Sequence, residues 1–85
     1  MKIGAKLLKV LSKKYTPDQM ITQKFERYDI SFKTDADGNP ILLFIGTLDH
    51  EGKIKGERFA RRLVYDQSGA ILKDHWDAKG KTGRE

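Results

Sequence analysis

Eighty-five residues make one domain with a core of modest size, and 38% hydrophobic with 34% charged residues describe a globular chain rather than a disordered one. The absence of cysteine excludes a disulfide framework and a thiolate metal site and fits a reducing, cytoplasmic setting. No apolar run approaches transmembrane length, and the net charge of +5 is concentrated rather than spread. Residues 1–15 hold five lysines (Lys2, Lys6, Lys9, Lys13, Lys14) and no acid, while 16–34 and 35–85 each balance. No secretory leader is expected, because Lys6 and Lys9 interrupt the apolar residues of 1–11 and no small-residue cleavage site follows.

The chain divides into a helical segment (1–24), an antiparallel meander (25–77) and a polar tail (78–85). Residues 3–15 carry a helical stripe of Ile3, Leu7, Leu8, Val10, Leu11 and Tyr15, with lysines opposite. Such a helix either covers a sheet with its lysines in water or seeks a membrane surface. The need to cover the sheet favours the first. Thr16-Pro17-Asp18-Gln19 reads as a capping box that opens a short second helix, to about Lys24.

Four strands follow, at about 25–34, 40–48, 53–65 and 70–77. The second contains the longest apolar run, Ile41 to Leu48, and belongs inside a sheet. The turns share one pattern: Asp35-Ala-Asp-Gly38, Asp49-His-Glu-Gly52 and Asp66-Gln-Ser-Gly69. Asp-x-x-Gly fits a type I turn whose glycine enters the left-handed region. Asp77-Ala-Lys-Gly80 is a fourth copy, followed by residues too polar and few for a fifth strand.

If each turn pairs its Asp with the residue after its Gly, a cross-sheet row runs Phe32, Leu42, Ala60, Trp76. Arg62 then faces Asp74, and Arg58 and Arg62 share a face with Ile30 and Phe44. This richer face is the one expected beneath the helix. The other carries Ile41, Leu43, Phe59, Arg61, Leu63 and Tyr65, too apolar for plain solvent and too charged for a deep core.

Catalytic and metal chemistry finds little support. His50 sits between two acids in a turn, and His75 falls beside Arg61 without a carboxylate in that register. No serine has a nucleophile context, and Gly80-Lys81-Thr82 lacks the earlier glycine of a phosphate loop. No cofactor, metal or small-molecule substrate is expected.

The fold class is therefore α+β: an amphipathic N-terminal helix, with a possible short second one, on a four-stranded antiparallel meander. The expected function is a small non-enzymatic binding or assembly module that uses Ile41, Leu43, Phe59, Arg61, Leu63 and Tyr65 for a protein partner or a homodimer. The alternative is nucleic-acid binding through Lys2, Lys6, Lys9, Lys13, Arg58, Arg61 and Arg62. Membrane-surface association by the helix comes third.

Overall fold

A computed structural model describes residues 3–82. One helix, α1 (Ala5–Leu11), precedes five strands: β1 (Met20–Phe25), β2 (Tyr28–Thr34), β3 (Pro40–Leu48), β4 (Ile54–Tyr65) and β5 (Ile71–Lys81). The strands form one antiparallel sheet in the order β1-β2-β3-β4-β5. The α+β meander is thus as expected, with one strand more and one helix fewer.

α1 is shorter than residues 3–15 because Tyr15 is held elsewhere. Its amide donates to the Gly38 carbonyl at 2.8 Å, and its hydroxyl donates to the Val10 carbonyl at 2.7 Å. Its ring packs edge-on against Phe32 at 4.8 Å. Gly38 must be glycine here: φ is +84°, and a Cβ would overlap the Tyr15 carbonyl oxygen.

The second helix does not form. Thr34 on β2, fully buried, donates its hydroxyl to the Thr16 carbonyl at 2.7 Å and accepts the Gln19 amide at 2.9 Å. The Thr34 amide donates to Gln19 and the Asp18 amide to Asp35, so residues 16–19 are stitched to the end of β2. The chain then enters β1, which pairs along its whole length with β2 from Met20↔Lys33 to Phe25↔Tyr28. Ladder pairing and the burial of Ile21 and Phe25 override the capping pattern.

The Asp-x-x-Gly turns form as read, with φ of +84°, +83° and +89° at Gly38, Gly52 and Gly69. Each aspartate accepts two amides within its own turn: Asp37 and Asn39 on Asp35, Glu51 and Lys53 on Asp49, Ser68 and Ala70 on Asp66. The Lys53 amide foremost holds the Asp49 carboxyl below its ordinary value. The Ser68 hydroxyl and then the Ala70 amide do so for Asp66. The fourth copy is no turn. β5 runs through it, and Gly80, at φ +91°, sits where Lys79 and Gly80 together oppose Arg58 between the pairs Phe59↔Ala78 and Glu57↔Lys81.

Two further bulges change the register. Thr34 opposes Pro40 as expected, but Lys33 opposes Leu42, leaving Ile41 extra on β3. Proline has no amide to donate and is tolerated at a strand start or a bulge. Likewise Tyr65 opposes Ile71 while Val64 opposes Lys73, leaving Leu72 extra. Only the β3–β4 hairpin keeps the expected pairs, Leu42↔Ala60 through Leu48↔Ile54. A one-residue offset exchanges the faces of a strand relative to its neighbour. Phe32 therefore pairs with Leu43 and Ile30 with Ile45, and Trp76 lies opposite Arg61 rather than Ala60.

The core follows from that offset. Ile30, Phe32, Leu43, Ile45 and Phe59 lie together on one face, closed by Leu7 and Leu11 of α1. Helix spacing i, i+4 sets those two leucines on the same side. α1 thus covers the β3–β4 face that was expected to stay open, because β2 supplies its two largest apolar residues there.

Candidate functional site

Leu43 and Phe59, expected at an interface, are core residues beneath α1. Ile41 is half-buried at its bulge, Leu63 is half-buried opposite Asp74, and Tyr65 is exposed at the far end of β4.

Arg61 is a structural hub rather than a surface contact. Its side chain is 6% exposed and forms a fork onto Asp74, Nε to Oδ1 at 2.7 Å and Nη2 to Oδ2 at 2.8 Å. Its Nη1 donates to the Leu11 carbonyl at the end of α1 and to the Pro40 carbonyl, both at 3.1 Å. The guanidinium also lies 5.7 Å from the Trp76 ring centre. One side chain therefore joins α1, the start of β3, β4 and β5, a task suited to a planar cation with five donors. The guanidinium holds the Asp74 carboxyl below its usual range. The expected Arg62–Asp74 pair is replaced, since β5 is displaced by one residue and Arg62 faces His75.

The basic residues do not form one patch. Lys6, Lys9 and Lys13 are exposed on and just beyond α1. Arg58 and Arg62 alternate with Phe59 and Arg61, so they point away from α1 and not towards it. Lys2 lies outside the described residues.

Among the described residues, nothing covers the sheet's other face. β3 contributes Leu42, Phe44 and Leu48 to it, β4 contributes Ile54, Ala60 and Val64, and Met20 comes from β1. Met20 is 55% exposed and Leu48 and Val64 are 40% exposed. Part of this face is a groove of about 440 Å³ lined by Met20, Thr22, Ser31, Phe44, Ile54 and Thr82. Thr22 and Ser31 share a hydrogen bond of 3.1 Å across β1 and β2. Gly46 opposes Gly56 beside it, and a Cβ on either would overlap backbone of the opposite strand. The Thr82 amide donates to the Gly56 carbonyl, its hydroxyl to the Ile54 carbonyl, and the Gly56 amide returns a bond to that hydroxyl. Thr82 is therefore pinned across the start of β4.

Met20, Thr22 and Thr82 were missed by sequence reasoning because 17–24 read as helix and 78–85 as tail. The alternation of Ile21 and Phe25 with Met20, Thr22 and Lys24 is the signal that could have found β1. Lysines and arginines border the face: Lys33, Lys53 and Arg62 are exposed on or beside it. His75 does have a carboxylate partner, with Nε2 2.6 Å from Asp77 Oδ1, both side chains about half exposed. Among the described residues no group of three or more His, Cys, Asp or Glu is placed to hold a metal, and no helix is long and apolar enough to cross a membrane.

Comparison with protein-family models, with curated proteins and with solved structures finds no match to this chain.

Proposed function

We propose that the protein is a small non-enzymatic binding module whose uncovered sheet face takes a protein partner. The observation that carries this reading is that Met20, Leu42, Phe44, Leu48 and Val64 are left open, among the described residues, on a sheet whose other face carries the core beneath α1. Apolar residues interleaved with charge, Lys33 between Met20 and Leu42 and Arg62 between Ala60 and Val64, are the composition of an interface. Lys33 and Arg62 among these residues and Lys53 beside them favour a partner that presents apolar side chains interspersed with carboxylates. The nucleic-acid alternative loses support, since the lysines of α1 lie on the opposite side of the sheet from Arg58 and Arg62, and Arg61 is buried in its bonds to Asp74 and the Leu11 carbonyl.

The test is photo-cross-linking in the cells that make the protein, with a benzoyl-phenylalanine replacing Phe44 and, separately, Lys9. The expected adduct forms from position 44 only, resists nuclease, and disappears in the double variant Met20→Glu/Leu48→Glu while the melting curve stays cooperative. Adducts from position 9, or adducts that nuclease or moderate salt removes, would contradict the reading.

A further inference from the structure

β5 is an edge strand from Ile71 to Lys81, and its bulges at Leu72 and at Lys79 and Gly80 leave Lys73 to Ala78 as its regular free edge. Edges of this length are usually blunted by charge, and β5 carries Lys73, Asp74, Asp77, Lys79 and Lys81. The order of those charges is selective, not merely repulsive. If two copies of β5 pair antiparallel about His75, Lys73 of each copy stands opposite Asp77 of the other. No like charges then oppose one another anywhere along the pair. Shifting the axis by one residue to Asp74 sets Asp74 against itself. Shifting it to Trp76 sets Lys73 against Lys79 twice. Only the His75 register is favourable among these, and cross-strand charge pairs are what discriminate registers.

A second feature agrees with the same register. Ile71 and Leu72, 53% and 67% exposed, are among the most exposed large apolar residues described. In the His75 register Leu72 lies opposite Ala78 of the second copy and Ile71 opposite Lys79. Ala78 borders a cleft of about 420 Å³ lined by Ile3, Leu8 and Trp76 together with Ser12, Asp74 and His75, where Leu8 is 44% exposed. The exposed apolar end of one β5 is thereby brought towards the cleft of the other, where Leu8 is exposed, and two-fold symmetry does this twice.

We infer that the partner of the β5 edge is a second copy of this chain, joined antiparallel about His75 into one ten-stranded sheet. This surface is distinct from the uncovered face, which the pairing would leave free and double in width.

Sedimentation of the full chain between about 5 and 500 μM tests it. A reversible monomer–dimer equilibrium is expected. Lys73→Asp and Asp77→Lys alone each turn both cross-edge pairs into like-charge pairs and should weaken dimerisation by about tenfold or more. The double swap, Lys73→Asp with Asp77→Lys, restores opposite charges and should recover the dimer. Leu72→Glu should weaken it, whereas Met20→Glu/Leu48→Glu on the uncovered face should not. Circular dichroism confirms that each variant is folded. A monomer throughout this range, a dimer indifferent to both single swaps, or a dimer broken by the uncovered-face variant instead would each overturn the inference. The first two results leave the reading of the uncovered face untouched, and the third would make that face's partner a second copy of this chain.

Discussion

Leu42, Leu43, Phe44 and Ile45 are four consecutive apolar residues with two fates. Leu43 and Ile45 are sealed under α1 with Ile30, Phe32 and Phe59, whereas Leu42 and Phe44 face outwards among Met20, Leu48 and Arg58. Composition does not separate the two faces. What separates them is the extra residue Ile41, which slides β3 by one against β2 and so decides which apolar residues join. A core is chosen here by pairing geometry, and the apolar residues it rejects become the surface available for binding.

The largest expected effect comes from removing the cover. Deleting residues 1–15 takes Leu7, Leu11 and Tyr15 off Phe32 and its neighbours, and each buried apolar side chain contributes about 1.5–3 kcal/mol. That sum approaches the stability of so small a domain, so the truncated chain should lose its cooperative melt. A meander that still melts near the full-length temperature would show that α1 is no lid.

Truncating one residue from each face sharpens the comparison. Phe32→Ala, in the core, should cost about 3–5 kcal/mol in urea unfolding. Phe44→Ala, on the uncovered face, should cost less than half as much and should leave the α1 contacts intact. Equal costs would mean that the outer face is also core.

Arg61→Ala should cost about 2–3 kcal/mol, because it leaves Asp74 and the Leu11 and Pro40 carbonyls without their donor, discounted for the partial exposure of Asp74. Arg61→Lys should recover little, since an ammonium cannot make the fork and reach both carbonyls. Full recovery by lysine would reduce the hub to a simple charge.

Acidification should act more weakly. Asp74 is held low by Arg61, and Asp29 by the Leu48 amide first and Lys24 second. Asp49 and Asp66 are lowered within their turns. A carboxyl whose folded pKa lies below its unfolded value stabilises the fold above the unfolded value, near pH 4. That stabilisation is lost as pH falls through the folded value. Stability should therefore be flat from pH 7 to about 5 and decline below about 4, and Asp74→Asn should shrink the decline. A stability that rises towards pH 3 would contradict the assignment.

Much of this fold was legible. The Asp-x-x-Gly turns, the β3–β4 register and the stripe of α1 follow from local chemistry, which a sequence carries directly. The bulges at Ile41 and Leu72 do not. They add one residue where the ladder finds better partners, Phe32 for Leu43 and Arg61 for Asp74, and that advantage exists only once the strands are together. β1 was hidden for a similar reason, as Thr34 and β2 supply what the Thr16-Pro17 segment lacks by itself. The candidate face was misplaced as a consequence, since each face inherits the register. Arg61 in particular read as a surface cation because its four partners lie far from it in sequence.

Thiol labelling along β3 tests the division of faces most directly, because the chain has no cysteine of its own. Four single variants, Leu42→Cys, Leu43→Cys, Phe44→Cys and Ile45→Cys, would be labelled under native conditions and compared with their rates in denaturant. Alternation is expected: positions 42 and 44 react readily, while 43 and 45 react only as fast as the protein unfolds. Protection at 42 and 44 with reaction at 43 and 45 would put α1 on the other face and contradict it.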